Sequence, residues 1–221
     1  MKKILFVAPH PDDEVLGCAG TMLRFKSENA KIFWLIMTDI DLSTFYSKSF
    51  KVNRNKKINQ ISNFFNIDKT IKLDISPSQL NNFNETNLIN KLHKILKELK
   101  PNSLFLPFVS DPHTDHSITT MAFSSCIKSF RHSYLKQVLM YETLSETNFN
   151  FINQRKFKPT VYFDISKYLN KKIKAMKIYK SEIKKHPFPR SEASIHSQAV
   201  LRGSEASVKY AEAFELIYEI Y

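Results

Sequence analysis

The apolar residues of this chain fall into short dense runs separated by polar stretches with helical spacing. Residues 3–8 (KILFVA) and 31–38 (KIFWLIMT) are rich in β-branched and aromatic side chains and bounded by polar residues. That pattern predicts strands buried on both faces. Similar runs predict strands near 70–75, 103–108, 137–142 and 160–165. Between them, helical spacing appears over 15–28, 54–65, 85–99 and 117–130, and then over 168–185 and 205–219. Within 85–99, Leu88, Leu92, Ile95, Leu96 and Leu99 form one stripe, and Pro101 follows as a stop. A further helix after residue 190 carries His196 and Arg202. Strand and helix thus alternate, which predicts an α/β, Rossmann-like architecture. Its sheet is mostly parallel, helices cover both faces, and the functional loops lie at the carboxyl ends of the strands. Residues 39–51 lack a strong period and 186–190 (HPFPR) hold two prolines, so both are expected to be loops.

Composition adds bounds to this picture. At 221 residues with 43% hydrophobic content, the chain has material for one sizeable core, and a single domain over 1–221 is expected. Cys18 and Cys126 are too few for a disulfide framework or a structural zinc cage, and read as small core residues. The N-terminal apolar run ends at Pro9, too short for a signal peptide, so a cytoplasmic location is expected. The net charge of +12 fits nucleic-acid binding, an anionic membrane surface or the capture of an anionic substrate. Its lysines are dispersed, with modest clusters at Lys171-Lys172 and Lys184-Lys185 and no base-stacking motif beside them. A solvated basic surface is the simpler reading, and no nucleic-acid partner is expected.

Chemistry concentrates in two places. Residues 9–14 (PHPDDE) pack one imidazole and several carboxylates between the first predicted strand and the first helix. Acidic residues also suit a helix N-terminus, which is the rival reading of Asp12, Asp13 and Glu14. Residues 113–116 (HTDH) follow the strand SLFLPF and the turn residues Asp111 and Pro112. Both clusters are predicted on one rim of one sheet. His10, Asp13 and His116 would then supply the three protein ligands of a catalytic zinc site. Zinc lowers the pKa of water and polarises an amide carbonyl, which suits amide hydrolysis. Asp12 is left as general base. His113 is left as a cation or donor for the oxyanion, with Asp115 expected to accept from its other ring nitrogen and raise its pKa. Tyr141 and Glu142 lie on the same rim with an open role, whereas His93, His132, His186, His196 and Arg202 are left outside the set.

At these motifs the sequence resembles the PIG-L (LmbE-like) zinc-dependent de-N-acetylases. The resemblance runs from ILFVAPHPDDEVLGCAGT through SLFLPFVSDPHTDH to HPFPRS and YAEAF. It implies one zinc ion per chain on His10, Asp13 and His116, Asp12 as base, and His113 with Asp115 as the oxyanion-stabilising pair. It further implies substrate contacts at Arg54 and Arg190, and an N-acylated sugar or sugar conjugate as the small-molecule partner. A non-sugar amide remains the alternative substrate, and a basic nucleic-acid or membrane-binding protein with a relict site is the rival from another class. Membrane contact for a lipid-linked substrate and homo-oligomerisation stay open. The chain departs from the family pattern at GCAGT, at Ile40, and at Lys56 and Lys57. These departures touch the substrate pocket and not the metal set.

Overall fold

A computed structural model describes residues 1–73 and 75–221 of the chain. Its strands are β1 (Lys3–Ala8), β2 (Lys31–Ile36), β3 (Lys69–Lys72), β4 (Ser103–Pro107), β5 (Gln137–Tyr141), β6 (Val161–Asp164) and β7 (Ala211–Glu219). They form one sheet in the order β3-β2-β1-β4-β5-β7-β6. The first five run parallel, and β7 pairs antiparallel with both β5 and β6. The helices are α1 (Asp13–Ser27), α2 (Lys48–Phe64), α3 (Glu85–Leu99), α4 (Thr114–Cys126), α5 (Leu169–Met176) and α6 (Glu192–Glu205). The α/β sequence reading therefore holds, and Asp74, at the end of the strand expected over 70–75, lies outside the described residues.

Strand alternation divides the core. Ile4, Phe6, Ala8, Trp34 and Phe105 face α1, α2, α5 and α6, while Leu5, Val7, Leu35, Leu104 and Leu106 face α3 and α4. Gly17 of α1 packs closely against Tyr141 at the end of β5. A Cβ on Gly17 would meet the Tyr141 ring at 2.3 Å, and the Tyr141 hydroxyl donates to the Val7 carbonyl at 2.8 Å. Tyr141 is thus a buried structural residue. Strand order reverses on either side of β1, so the crevice beyond the carboxyl ends of β1 and β4 is the topological switch point, where open α/β sheets place their sites.

Three element assignments change. The segment 205–219 contains β7 and not a helix. Its pairing with β5 shifts register between Val138 and Leu139, which face Tyr218 and Leu216, so Ile217 is an extra bulged residue. The bulge sends Phe214 and Tyr218 into opposite core layers and erases the period of two that marks a strand. The helix expected over 168–185 ends at Met176, and the irregular stretch that follows reaches the site. Helix α2 begins at Lys48, capped by the Ser47 hydroxyl, so the loop expected over 39–51 is shorter.

Far from the switch point, His93 and His132 form a chain that the sequence reading missed. Arg131 can only donate, so its contact with His93 Nε2 at 3.2 Å makes that nitrogen an acceptor. His93 Nδ1 then donates to His132 Nε2 at 2.9 Å, and His132 Nδ1 donates to the Tyr134 hydroxyl oxygen at 2.5 Å. Burial first, with Arg131 and Lys97 adding, holds both imidazoles below their ordinary pKa. The folded state therefore takes up fewer protons than the unfolded chain below about pH 6.5. The stability these residues contribute is present above that pH and is lost as pH falls. His132→Leu should show a smaller drop in melting temperature between pH 7.5 and pH 5 than the wild type, as about those conditions bracket the free imidazole pKa. An equal drop in calorimetry would contradict this assignment.

Candidate active site

The chain leaves β1 at Ala8 and must turn sharply to start α1 at Asp13. Asp12 takes the strain, with φ 136° and ψ −26°, a region rarely adopted by L-residues. Such a residue costs roughly 1–3 kcal/mol and persists only when its surroundings over-determine it. Here they do. The Asp12 N–H donates to Glu14 Oε2 at 3.0 Å, and its carbonyl accepts from Val15 and Leu16 N–H at 3.0 and 2.9 Å. On the neighbouring strand, β4 ends at Pro107 and the chain reaches α4 through Asp111, with His113 as the N-cap.

Asp13 Oδ2 is the centre of the arrangement. It lies 3.5 Å from His10 Nδ1 and 3.3 Å from His116 Nε2, and the three ligand atoms all fall within 4.8 Å of one another. The remaining nitrogen of each imidazole meets a carboxylate. His10 Nε2 bonds Asp115 Oδ2 at 2.9 Å, and His116 Nδ1 bonds Asp111 Oδ2 at 2.8 Å. Each carboxylate accepts the outward ring N–H, which fixes the ring orientation and turns the other nitrogen towards Asp13. That is the carboxylate–histidine arrangement of metal sites, and the donor set fits a divalent cation. Asp111 is itself held by the Thr147 hydroxyl at 2.7 Å. A second group, His10, His113 and Asp115, also converges closely enough to hold an ion, but lacks this paired anchoring.

The electrostatics follow from the geometry. Burial opposes charge on His10, yet the Asp115 and Asp13 carboxylates outweigh it and raise the pKa to about 9. Burial likewise opposes charge on Asp13, but His116 and His10 hold it well below the usual carboxylate range. Asp12 is 4% exposed, and burial raises its carboxyl to about 7, with Arg54 and Arg190 pulling down and Asp13 and Glu182 pushing up. A carboxyl at about that value is poised for proton transfer near neutrality.

Two expected roles change. His113 Nδ1 accepts the backbone N–H of Asp115 at 3.1 Å, so it is not protonated there and has no carboxylate partner in Asp115. The Asp115 carboxylate points instead to His10 and accepts the Ser78 N–H at 2.8 Å. Burial, then the neighbouring His10 and His116, lower His113 to about 4, so it is a neutral imidazole and not the expected cation. Its Nε2–H remains a donor. Arg54 is 8% exposed, and its guanidinium is already committed. It donates to the Pro11 carbonyl at 2.5 Å and to Glu182 Oε1 at 3.3 Å, lies 3.8 Å from Asp12 Oδ1, and sits 5.1 Å over the Tyr179 ring. Arg190 donates to Asp12 Oδ2 at 3.2 Å and lies 3.4 Å from Glu182 Oε2. Both arginines thus line the cleft as partners of Asp12 and Glu182.

The cleft over these residues has a volume of ≈ 270 Å³. Tyr46, Phe50, Ser78, Ser145, Glu146 and Glu182 line it without having been singled out from sequence. Asp111 and Glu182 had the weakest signals: Asp111 reads as a turn residue and Glu182 lies in an irregular stretch. Glu142 and Arg202 pair with each other at 2.7 and 2.8 Å and do not line the cleft.

The model of the PIG-L family, described as GlcNAc-PI de-N-acetylase, matches residues 5–127. Diacetylchitobiose deacetylase of Thermococcus kodakarensis is 21% identical to this chain over 237 residues, covering 100% of this chain and 85% of that protein. A conserved protein of Thermus thermophilus superposes with a TM-score of 0.78 at 23% identity, covering 100% of this chain and 97% of that one. The N,N'-diacetylchitobiose deacetylase of Pyrococcus horikoshii, in complex with an inhibitor, gives 0.76 at 21%, covering 98% and 84%. Among the described residues, no helix is long and apolar enough to cross a membrane.

Proposed function

We propose, on the premise that this chain belongs to the PIG-L family, that it removes an acetyl group from the amino group of a sugar or sugar conjugate. One observation carries the reading: two imidazoles, each held by its own carboxylate, converge on Asp13 Oδ2 beside an arginine-flanked Asp12. His10, Asp13 and His116 would hold one zinc ion. When bound, it supplies Lewis acidity that polarises the amide carbonyl and lowers the pKa of water.

The chain's own groups supply the rest. Asp12 takes a proton from the attacking water and returns it to the departing amine, a role suited to a buried carboxyl near pKa 7. Arg54 and Arg190 keep that carboxylate oriented and balance its charge. His113 presents its Nε2–H to the carbonyl oxygen as negative charge develops there. With Arg54 and Arg190 balanced by Asp12 and Glu182, the cleft favours an uncharged sugar over an anionic one. Release of acetate from a panel of N-acetylated sugars, nucleotide sugars and glycolipids tests the reading. The highest turnover is expected with an uncharged glycoside, and absence of acetate from every member of the panel would overturn it.

Tyr46 and Phe50 stack with ring centroids 4.9 Å apart and an interplanar angle of 12°, and both line the cleft. Such a flat aromatic surface suits the apolar face of a sugar ring. Tyr46→Ala should raise KM about three- to tenfold with kcat little changed, the size of one aromatic contact. Steady-state kinetics showing an unchanged KM would remove Tyr46 from substrate binding.

A further inference from the structure

We infer that Glu14 is a positioning residue: its buried carboxyl fixes the Asp12 backbone in the conformation that aims the Asp12 carboxylate into the cleft. The inference rests on the reading of Asp12 as the base. As the second residue of α1, Glu14 has the sequence position of an ordinary helix-dipole acid, which would face solvent at the first turn. It is instead fully buried, and both its oxygens are spent on specific partners. Oε2 accepts the Asp12 N–H at 3.0 Å, a donor that precedes the helix. Oε1 accepts the hydroxyl of Tyr179 at 3.0 Å, and Tyr179 is itself fully buried.

The Asp12 N–H lies in the Pro11–Asp12 peptide plane, so the bond to Glu14 helps fix that plane, and φ sets where the Asp12 side chain leaves the backbone relative to it. Asp12 holds φ 136° while its N–H is tied to Glu14. Without that tie the residue would relax towards the ordinary negative φ of an L-residue, and its carboxylate would swing away from Arg190 and Arg54. The same Tyr179 ring that supports Glu14 carries the Arg54 guanidinium, which donates to the Pro11 carbonyl just before Asp12. One buried unit, Glu14, Tyr179 and Arg54, therefore holds the Pro11-Asp12 turn from both sides. A shorter side chain at position 14 would not span from the Asp12 N–H to the Tyr179 hydroxyl, whereas glutamine would. Its carbonyl accepts from Asp12 and its amide N–H donates to the Tyr179 oxygen.

The test is a set of variants assayed as zinc-loaded protein for kcat, KM and metal content. Glu14→Ala should lose about thirtyfold or more in kcat while KM and zinc stoichiometry stay unchanged. Glu14→Gln should recover to within about threefold of the wild type, and Tyr179→Phe should lose several-fold in kcat alone. Because Glu14 acts through Asp12, adding Glu14→Ala to Asp12→Asn should cost nothing further in kcat, a non-additivity that a merely structural residue would not show. If Glu14→Ala does not fold, the Gln and Phe variants still decide, since both preserve shape. Wild-type kcat in Tyr179→Phe or Glu14→Ala, a loss confined to KM, or full additivity with Asp12→Asn would overturn the inference. Near-normal turnover in Asp12→Asn alone would instead overturn the reading of Asp12 as base, and the two failures are separable in the same experiment.

Discussion

Asp12→Asn is expected to keep its metal and lose between about a hundredfold and ten-thousandfold in kcat, the range typical for removal of a general base. The substitution preserves shape and deletes only basicity. Asp12 is outside the converging set of His10, Asp13 and His116, so zinc content should stay at the wild-type level. The asparagine side chain still accepts from Arg190 through its carbonyl, so the local fold should persist. KM should change little, because the lost interaction is with a proton in flight and not with the bound sugar. Single-turnover acetate release combined with metal analysis makes the comparison. Retained turnover with retained zinc would assign the proton transfer to another group, of which Glu182 and Glu146 are the cleft carboxylates at hand.

His116→Ala should do more, abolishing both metal binding and detectable turnover. The imidazole it removes is 1% exposed and bridges two carboxylates, Asp111 at 2.8 Å and Asp13 at 3.3 Å. Loss of that cation or ligand leaves two buried acids without their shared partner, so stability should fall as well, by about 3–5 kcal/mol if both stay charged. Chelation of the wild type gives the reversible counterpart. Turnover should vanish on treatment with a chelator and return on addition of zinc, and the melting temperature should rise with zinc, because a ligand that binds only the folded state stabilises it. His10 and His116 are raised above the ordinary imidazole pKa by their carboxylates, so they carry protons near neutrality that a cation must displace. Zinc uptake in weakly buffered solution should therefore release protons. Full activity after exhaustive chelation, or no proton release on reloading, would contradict the metal site.

Much of the sheet was legible because its strands are buried on both faces and read as unbroken apolar runs. The candidate site was legible for a related reason: His10 to Asp13 and His113 to His116 each lie in the loop and helix start that follow a strand, and those two strands are neighbours. What the sequence concealed was set by geometry at the scale of single residues. The bulge at Ile217 hid β7 by breaking its alternation. The N-cap role of His113 turns its Nδ1 onto a backbone N–H, so the nearest acid in sequence, Asp115, is not its partner in space. Asp111 and Glu182 come from a turn and an irregular stretch, where no period announces which way a side chain points. Arg54 and Arg190 both line the cleft, but their pairing with Asp12 and Glu182 depends on the path of residues 177–191, which no local pattern specifies.

The central claim, that one zinc ion sits among His10, Asp13 and His116 and leaves Asp12 free as base, is tested most directly by anomalous diffraction at the zinc edge. Crystals of the zinc-loaded protein should give one strong peak per chain between His10 Nδ1, Asp13 Oδ2 and His116 Nε2, with Asp115 and Asp111 still bonded to the outward ring nitrogens. A peak among His10, His113 and Asp115, or direct ligation by Asp12, would contradict the account.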